Sequence, residues 1–427
     1  MDQFIAALNG RERQSRLAAL RALVGQVKGG LIATPLQGID VNNHIHTSYS
    51  FSPYSPSMAL WMAYMAGLST AGIMDHDSIC GAEEFIEAGA IVGMGVTIGV
   101  ECRVDFSKTP LGGKTLNNPD QASIAYVTIH GIPHTQIEAV RDFFAPFIAF
   151  RHERNRRMTA KLNDILAPKG IALEYDKDVL PLSMSYDGGS VTERHILFAV
   201  SKKIVAQFGR GTKVIAFLED ALGIAVTGKN QDWLADVDNK FYEYDLLGVL
   251  KSELVAQFYE NATAECPDVR EVIALADKIG GIIAYAYLGD VTNSVTGDKK
   301  AQKFEDDFLD FLFDVIDELG IKTITYMPSR NTREQLHRIK ALCDVHQFFQ
   351  ISGEDINSPR QSFICEAQRS PEFSNLIDAT WALIGHEKAA TKDLKKAFFY
   401  GETVEEHPVL QERIETYKII GKSDNFA

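Results

Sequence analysis

Two histidines one residue apart, His44-Ile45-His46, stand in the segment Gly38-Ile39-Asp40-Val41-Asn42-Asn43-His44-Ile45-His46-Thr47. Along an extended backbone, side chains at i and i+2 point to one face, so both imidazoles can converge on one cation. Imidazole suits zinc and its first-row neighbours, and carboxylates complete such a set. A lone His-x-His pair also occurs as ordinary polar surface. What gives this one weight is Asp75-His76-Asp77, Gly99-Val100-Glu101 and Gly353-Glu354-Asp355. Each follows an apolar run with the character of a buried strand. A cation held this way can bring the pKa of its bound water toward neutrality and so supply a nucleophile.

The elements that must position these residues alternate. Apolar, β-rich runs precede His44, Asp75 (69–74), Glu101 (96–100) and His130 (124–129). Three more end near Tyr287 (281–286), at Met327-Pro328 (321–326) and at Asp355 (348–352). Helical periodicity fills 57–67, 81–90, 134–166 and 303–319. Strands alternating with helices predict a parallel sheet with helices outside, and seven strands predict a closed or nearly closed α/β barrel. Parallel strands put their C-terminal ends at one rim, where His44, His76, Glu101 and Asp355 can meet despite their separation in sequence.

Around this barrel the pattern changes. Residues 1–37 read as an amphipathic helical extension, with Leu17, Leu20, Leu23 and Val24 at helical spacing. The alternation lapses over 201–274, which reads as a small helical insertion containing Trp233, Phe241, Tyr242 and Tyr244. Residues 373–427 read as a helical C-terminal extension. The barrel is then discontinuous, over 38–200 and 275–372.

The chain has 427 residues, 45% apolar and 23% charged, with a net charge of -14. That composition is ordinary for a globular protein, and the acidic balance without a basic run argues against a nucleic-acid-binding surface. Five scattered cysteines without a Cys-x-x-Cys pair point to a reducing, cytoplasmic setting. The N-terminus carries Arg11, Glu12, Arg13 and Arg16 where a signal peptide needs an apolar core. No run is long and apolar enough to predict a membrane span.

Taken in order, His44-x-His46-Thr47, Asp75-His76-Asp77-Ser78, Gly99-Val100-Glu101, Arg194-His195-Ile196 and Ser352-Gly353-Glu354-Asp355 resemble the successive motifs of the PHP superfamily, named for polymerase and histidinol phosphatase domains. The resemblance covers roughly residues 38–370. It implies a distorted (β/α)7 barrel whose rim holds one to three divalent cations (zinc, manganese or iron), and hydrolysis of a small phosphorylated metabolite or nucleotide. By position, His44, His46, Glu101 and Asp355 would form a first metal site. Glu101 would bridge to a second metal, and His76 would belong to a third or alternative one. Asp75 flanks His76 as a ligand or as a support for its ring, and His130 could serve the second metal. His195 would contact metal or substrate phosphate. Arg194 and Arg360 would neutralise substrate charge, with Arg330 and Arg157 as weaker candidates.

Three positions depart from the family pattern. Where an Ala-His-Pro is usual the chain has Ala286-Tyr287-Leu288; where Ser-Asp-x-His is usual it has Glu354-Asp355-Ile356-Asn357. Phe51 or Ser52 falls near another usual ligand position. Phenol and amide are poorer ligands for zinc-like ions than imidazole. Two other readings therefore stay open: a non-catalytic metal-binding or ligand-sensing barrel, and an amidohydrolase-like metal hydrolase. The sequence implies no particular oligomeric state.

Overall fold

A computed structural model describes residues 2–118, 120–291 and 303–423. Its centre is one seven-stranded sheet in sequential order: β1 (Val41–Ile45), β2 (Thr70–His76), β3 (Gly95–Asp105), β4 (Ile124–His130), β5 (Ile282–Ala286), β6 (Thr323–Tyr326) and β7 (Phe349–Ser352). The strands are buried along nearly their whole length, as expected of a sheet covered by helices. The helix Pro56–Ala66 shows how sequence sets these covers. Ser55 caps its start by accepting from the Met58 amide, Pro56 fits the first turn, and Gly67 at φ 88° ends it.

The sheet curls toward closure between its first and last strands. Ile45 and Ile356 form a parallel bridge, with His46 N–H donating to the Ile356 carbonyl (2.9 Å) and Ile356 N–H to the His44 carbonyl (3.1 Å). This distorted, TIM-like barrel with helical extensions matches the sequence expectation, with one correction. β4 runs antiparallel to both β3 and β5. The described residues of the connection 106–123 contain no α-helix, and an antiparallel return needs no crossover. The C-terminal end of β4 therefore points away from the rim formed by the other strands, and His130 enters the barrel interior from beneath it, close enough to His44 and Glu101 to feel their charge.

Two helical bodies flank the sheet. Residues between Met158 and Phe258 share a hydrophobic core of their own, which Phe51 from the β1 loop joins. The insertion expected over 201–274 is thus part of a larger body that begins within the helix Ile137–Leu166. The helix Ser374–Lys392 covers the sheet end opposite the rim. There Glu387 accepts from Thr97 Oγ1 (2.7 Å) and Ile98 N (2.9 Å), and pairs with His134 Nε2 (2.8 Å). No described helix is long and apolar enough to cross a membrane.

Candidate metal centre

The ends of β1, β2 and β3 bring three imidazoles around one carboxylate oxygen, and the turn after β7 adds a second carboxylate beside them. Glu101 Oε2 lies 2.9 Å from His76 Nδ1, 3.7 Å from His44 Nε2 and 3.8 Å from His46 Nε2. Asp355 Oδ1 lies 3.1 Å from His46 Nε2. Register explains part of this: His76 pairs with Glu101 across the parallel β2–β3 ladder. The β1–β7 bridge supplies the rest by setting Asp355 beside His44 and His46. The approach depends on Gly353, where an added Cβ would fall 2.6 Å from His44 N.

His44, His46 and Glu101 form the one group of three or more His, Cys, Asp or Glu among the described residues whose ligand atoms all lie within 4.8 Å of one another. The donor set fits a divalent cation. His46 is 1% exposed, yet its Nε2 has no hydrogen-bond partner, because Asp355 is close but out of hydrogen-bonding direction. A buried polar atom without a partner is costly unless something outside the chain meets it. Electrostatics point the same way. Burial opposes charge on Glu101, but His44 and His76 outweigh it and hold the carboxyl well below its usual range. Asp355 is held down likewise, its partial burial overcome by His46, His44 and Arg194. Burial and the neighbouring His76 lower the pKa of His46, whereas Glu101 more than offsets burial at His44 and raises it.

Several expected site residues do something else. Asp75 spends both oxygens on the β1 loop: it accepts from Thr47 N (2.7 Å), Thr47 Oγ1 (2.5 Å) and Ser50 Oγ (2.6 Å), and Ser50 Oγ lies 3.3 Å from His46 Nδ1. It braces the His46 ring rather than turning to a ligand position. His130 faces the barrel interior opposite Gly99, one side-chain layer below Glu101, because β4 is antiparallel. Neither of its ring nitrogens is hydrogen-bonded, and burial depresses its pKa to about 3. His195 is turned into the helical body. Its Nδ1 accepts from Thr192 N (3.0 Å) as a helix cap, its ring packs edge-on against Phe51, and burial lowers its pKa to about 3. Arg360 is clamped by Asp245 (2.6 and 2.8 Å) and stacks 4.0 Å above Trp233, fastening the β7 loop to the helical body instead of facing the cavity.

The cavity beside His76 is lined by Arg103, Arg151, Arg194, Tyr126 and Glu193, with Phe51, Thr192 and Asn357 completing it. Of its arginines, sequence reasoning names only Arg194. Arg103 had a signal, since it stands two residues beyond Glu101 and so shares its face of β3. Arg151 had none; it lies mid-helix and arrives through folding. Arg103, Arg151 and Arg154 gather around Glu265, and Arg151 also bridges to Asp77 at 2.6 Å. Asp77 takes a left-handed φ of 53°, and its amide donates to the Glu101 carbonyl (2.8 Å), so the bridge pins the turn that presents His76. Arg103 Nε, Arg151 Nε and Arg154 Nη2 are buried without a hydrogen-bond partner.

Tyr287, at the expected position of a histidine ligand, is also otherwise engaged. Its hydroxyl donates to Asp306 Oδ1 (2.6 Å) on the far side of the rim.

Comparison with known proteins places the fold. A protein from Bifidobacterium adolescentis, provisionally assigned as a metal-dependent phosphoesterase, superposes with a TM-score of 0.50 at 20% identity, over 78% of this chain and 94% of its own. An amidohydrolase from Chromobacterium violaceum, solved with sulfate and no metal, gives 0.49 at 14% identity, over 77% of this chain and 90% of its own. No protein-family model matches the sequence. No curated protein matches it either. At 20% identity the likeness to the first of these shows the fold alone, a distorted α/β barrel.

Proposed function

We propose that this chain is a metal-dependent phosphoesterase of the PHP type, releasing phosphate from a small phosphorylated metabolite or nucleotide. His44, His46, Glu101 and Asp355 would hold the cation. When bound, a zinc- or manganese-like ion supplies a nucleophile at neutral pH and neutralises phosphoryl charge. The observation that carries phosphoester over amide is the cavity beside His76. Arg103, Arg151 and Arg194 line it, and Nε of the first two makes no hydrogen bond, although that of Arg151 lies 3.6 Å from Glu265. Buried guanidinium donors left unpaired are expensive, and a phosphoryl group's oxygens are the acceptors they match. A neutral amide would leave them unmet.

The other residues follow from their contacts. Two positions along a strand advance about 7 Å, so Arg103 sits one such step rimward of Glu101, in reach of oxygens on a group held at the metal ligands. His76 Nδ1 is bound to Glu101, which leaves its other ring nitrogen to give a proton to a departing oxygen. Phe51 and Tyr126 line the remaining wall and limit water.

A panel of phosphomonoesters assayed with added Mn2+ or Zn2+ tests this reading. Turnover is expected to require the metal and to vanish in His44→Ala and Asp355→Ala. A silent panel with metal demonstrably bound would overturn it. That outcome would favour the second reading, a metal-binding barrel without turnover, which Tyr287 supports because its hydroxyl is committed to Asp306.

A further inference from the structure

Asp355 is the exposed member of the ligand group. Its side chain keeps 40% of its surface, against 9% for His44, 1% for His46 and 11% for Glu101. A carboxylate so placed swings freely unless something holds it. Asn357 does: its Nδ2 donates to Asp355 Oδ1 at 2.7 Å, while its own Oδ1 accepts from Arg194 Nη1 at 2.7 Å. The amide has one sensible orientation. A guanidinium only donates and an ionised carboxylate only accepts, so a flipped amide would oppose like groups at both ends.

Arg194 comes from the first turn of the helix Glu193–Phe208, part of the helical body and 163 residues distant in sequence. The loop between Asp355 and Gln361 is fastened from the same side. Gln361 Oε1 accepts from the Asn357 and Ser358 amides (2.8 and 2.7 Å), and its Nε2 donates to the Asp355 carbonyl (2.7 Å). Arg360 ties that loop to Asp245 and Trp233.

We propose that Asn357 and Arg194 are positioning residues: a guanidinium–amide–carboxylate relay through which the helical body sets the Asp355 carboxylate for the metal. Asn357, at a position where the family carries a ligand, then acts through Asp355 and does not itself ligate. The inference rests on the metal-site part of the functional reading and not on turnover.

A double-mutant cycle on metal affinity tests it, with Mn2+ titrated calorimetrically into the full-length, metal-stripped protein without substrate. Asn357→Ala and Arg194→Met are each expected to weaken binding by about 10- to 100-fold, the range typical of residues that support a ligand. The double variant should bind no more weakly than the weaker single one, because both remove one relay. Arg194→Lys should recover part of the loss, and Arg156→Met, an exposed arginine of the same body paired with Asp176, should leave affinity unchanged. Unaltered affinity in Arg194→Met beside a loss in Asn357→Ala would make Asn357 a direct ligand and overturn the relay, as would additive losses. Normal titrations with no hydrolysis of any phosphoester would sink the phosphoesterase reading alone. A wild-type protein that binds no Mn2+ or Zn2+ would sink both.

Discussion

The two halves of the rim handle polar groups in opposite ways. Where β1, β2, β3 and the turn after β7 end, imidazoles and carboxylates crowd together without pairing off: His46 Nε2 makes no hydrogen bond, and Glu101 Oε2 lies within 3.8 Å of three imidazoles. Where β5 ends, acceptors and donors are matched. Glu305 Oε1 takes the Leu288 and Gly289 amides (2.9 and 3.2 Å), and Asp306 takes Tyr287 Oη, the Asp290 amide and Gln335 Nε2 (2.6, 3.0 and 2.7 Å). Gly289, at φ 70°, lets the backbone wrap onto these carboxylates. One half is complete as a protein structure. The other leaves His46 Nε2 without a hydrogen bond, which is the feature expected of a half that takes a ligand.

The largest expected effect lies on the incomplete side. Glu265 is buried and meets Arg103, Arg151 and Arg154. Removing one partner of a buried ion pair costs about 3–5 kcal/mol, so Glu265→Gln should lower the melting temperature sharply. Millimolar phosphate should restore part of the loss by supplying the missing negative charge near the arginines. If phosphate stabilises the wild type and the variant equally, the cavity is not the electrostatic sink described above.

The contrast also shows what could be read before folding. The strand–helix alternation and the gathering of His44, His46, Glu101 and Asp355 at strand ends follow from residue type and spacing. The direction of β4 did not, since an apolar run carries no arrow; the clue was the helix-free, glycine- and asparagine-containing stretch 106–123. Nearness to Asp355 in sequence does not bring Arg360 to the cavity, because the backbone carries it to Asp245. The Arg194-His195 motif does lie at the site, but Glu193 and Arg194 face the cavity and His195 caps the helix. Arg151 is beyond reading of this kind, because only the tertiary fold joins the middle of a long helix to the end of β2.

On the sealed side, smaller effects are expected. Tyr287→Phe removes one hydrogen bond to a carboxylate, worth about 1.5–3 kcal/mol, and should show as a lowered urea midpoint with metal affinity unchanged. A change in metal stoichiometry in this variant would mean that the phenol takes part in the metal centre after all, and the distinction between the two halves would fail.

The smallest effect is the most diagnostic of a sealed, dry rim. Burial raises the Glu305 carboxyl to about 7, more than the Leu288 and Gly289 amides lower it. In the unfolded chain the carboxyl keeps its ordinary value of 4.5. Between those two values the folded state therefore binds more protons than the unfolded one, so this group makes stability fall as pH rises from about 4.5 to about 7, then level off. Urea midpoints measured across that window should show an added downward slope in the wild type that Glu305→Gln lacks, with the two profiles parallel above it. Coincident slopes would mean that water reaches Glu305, and that the β5 half of the rim is as open as the half that holds the metal ligands.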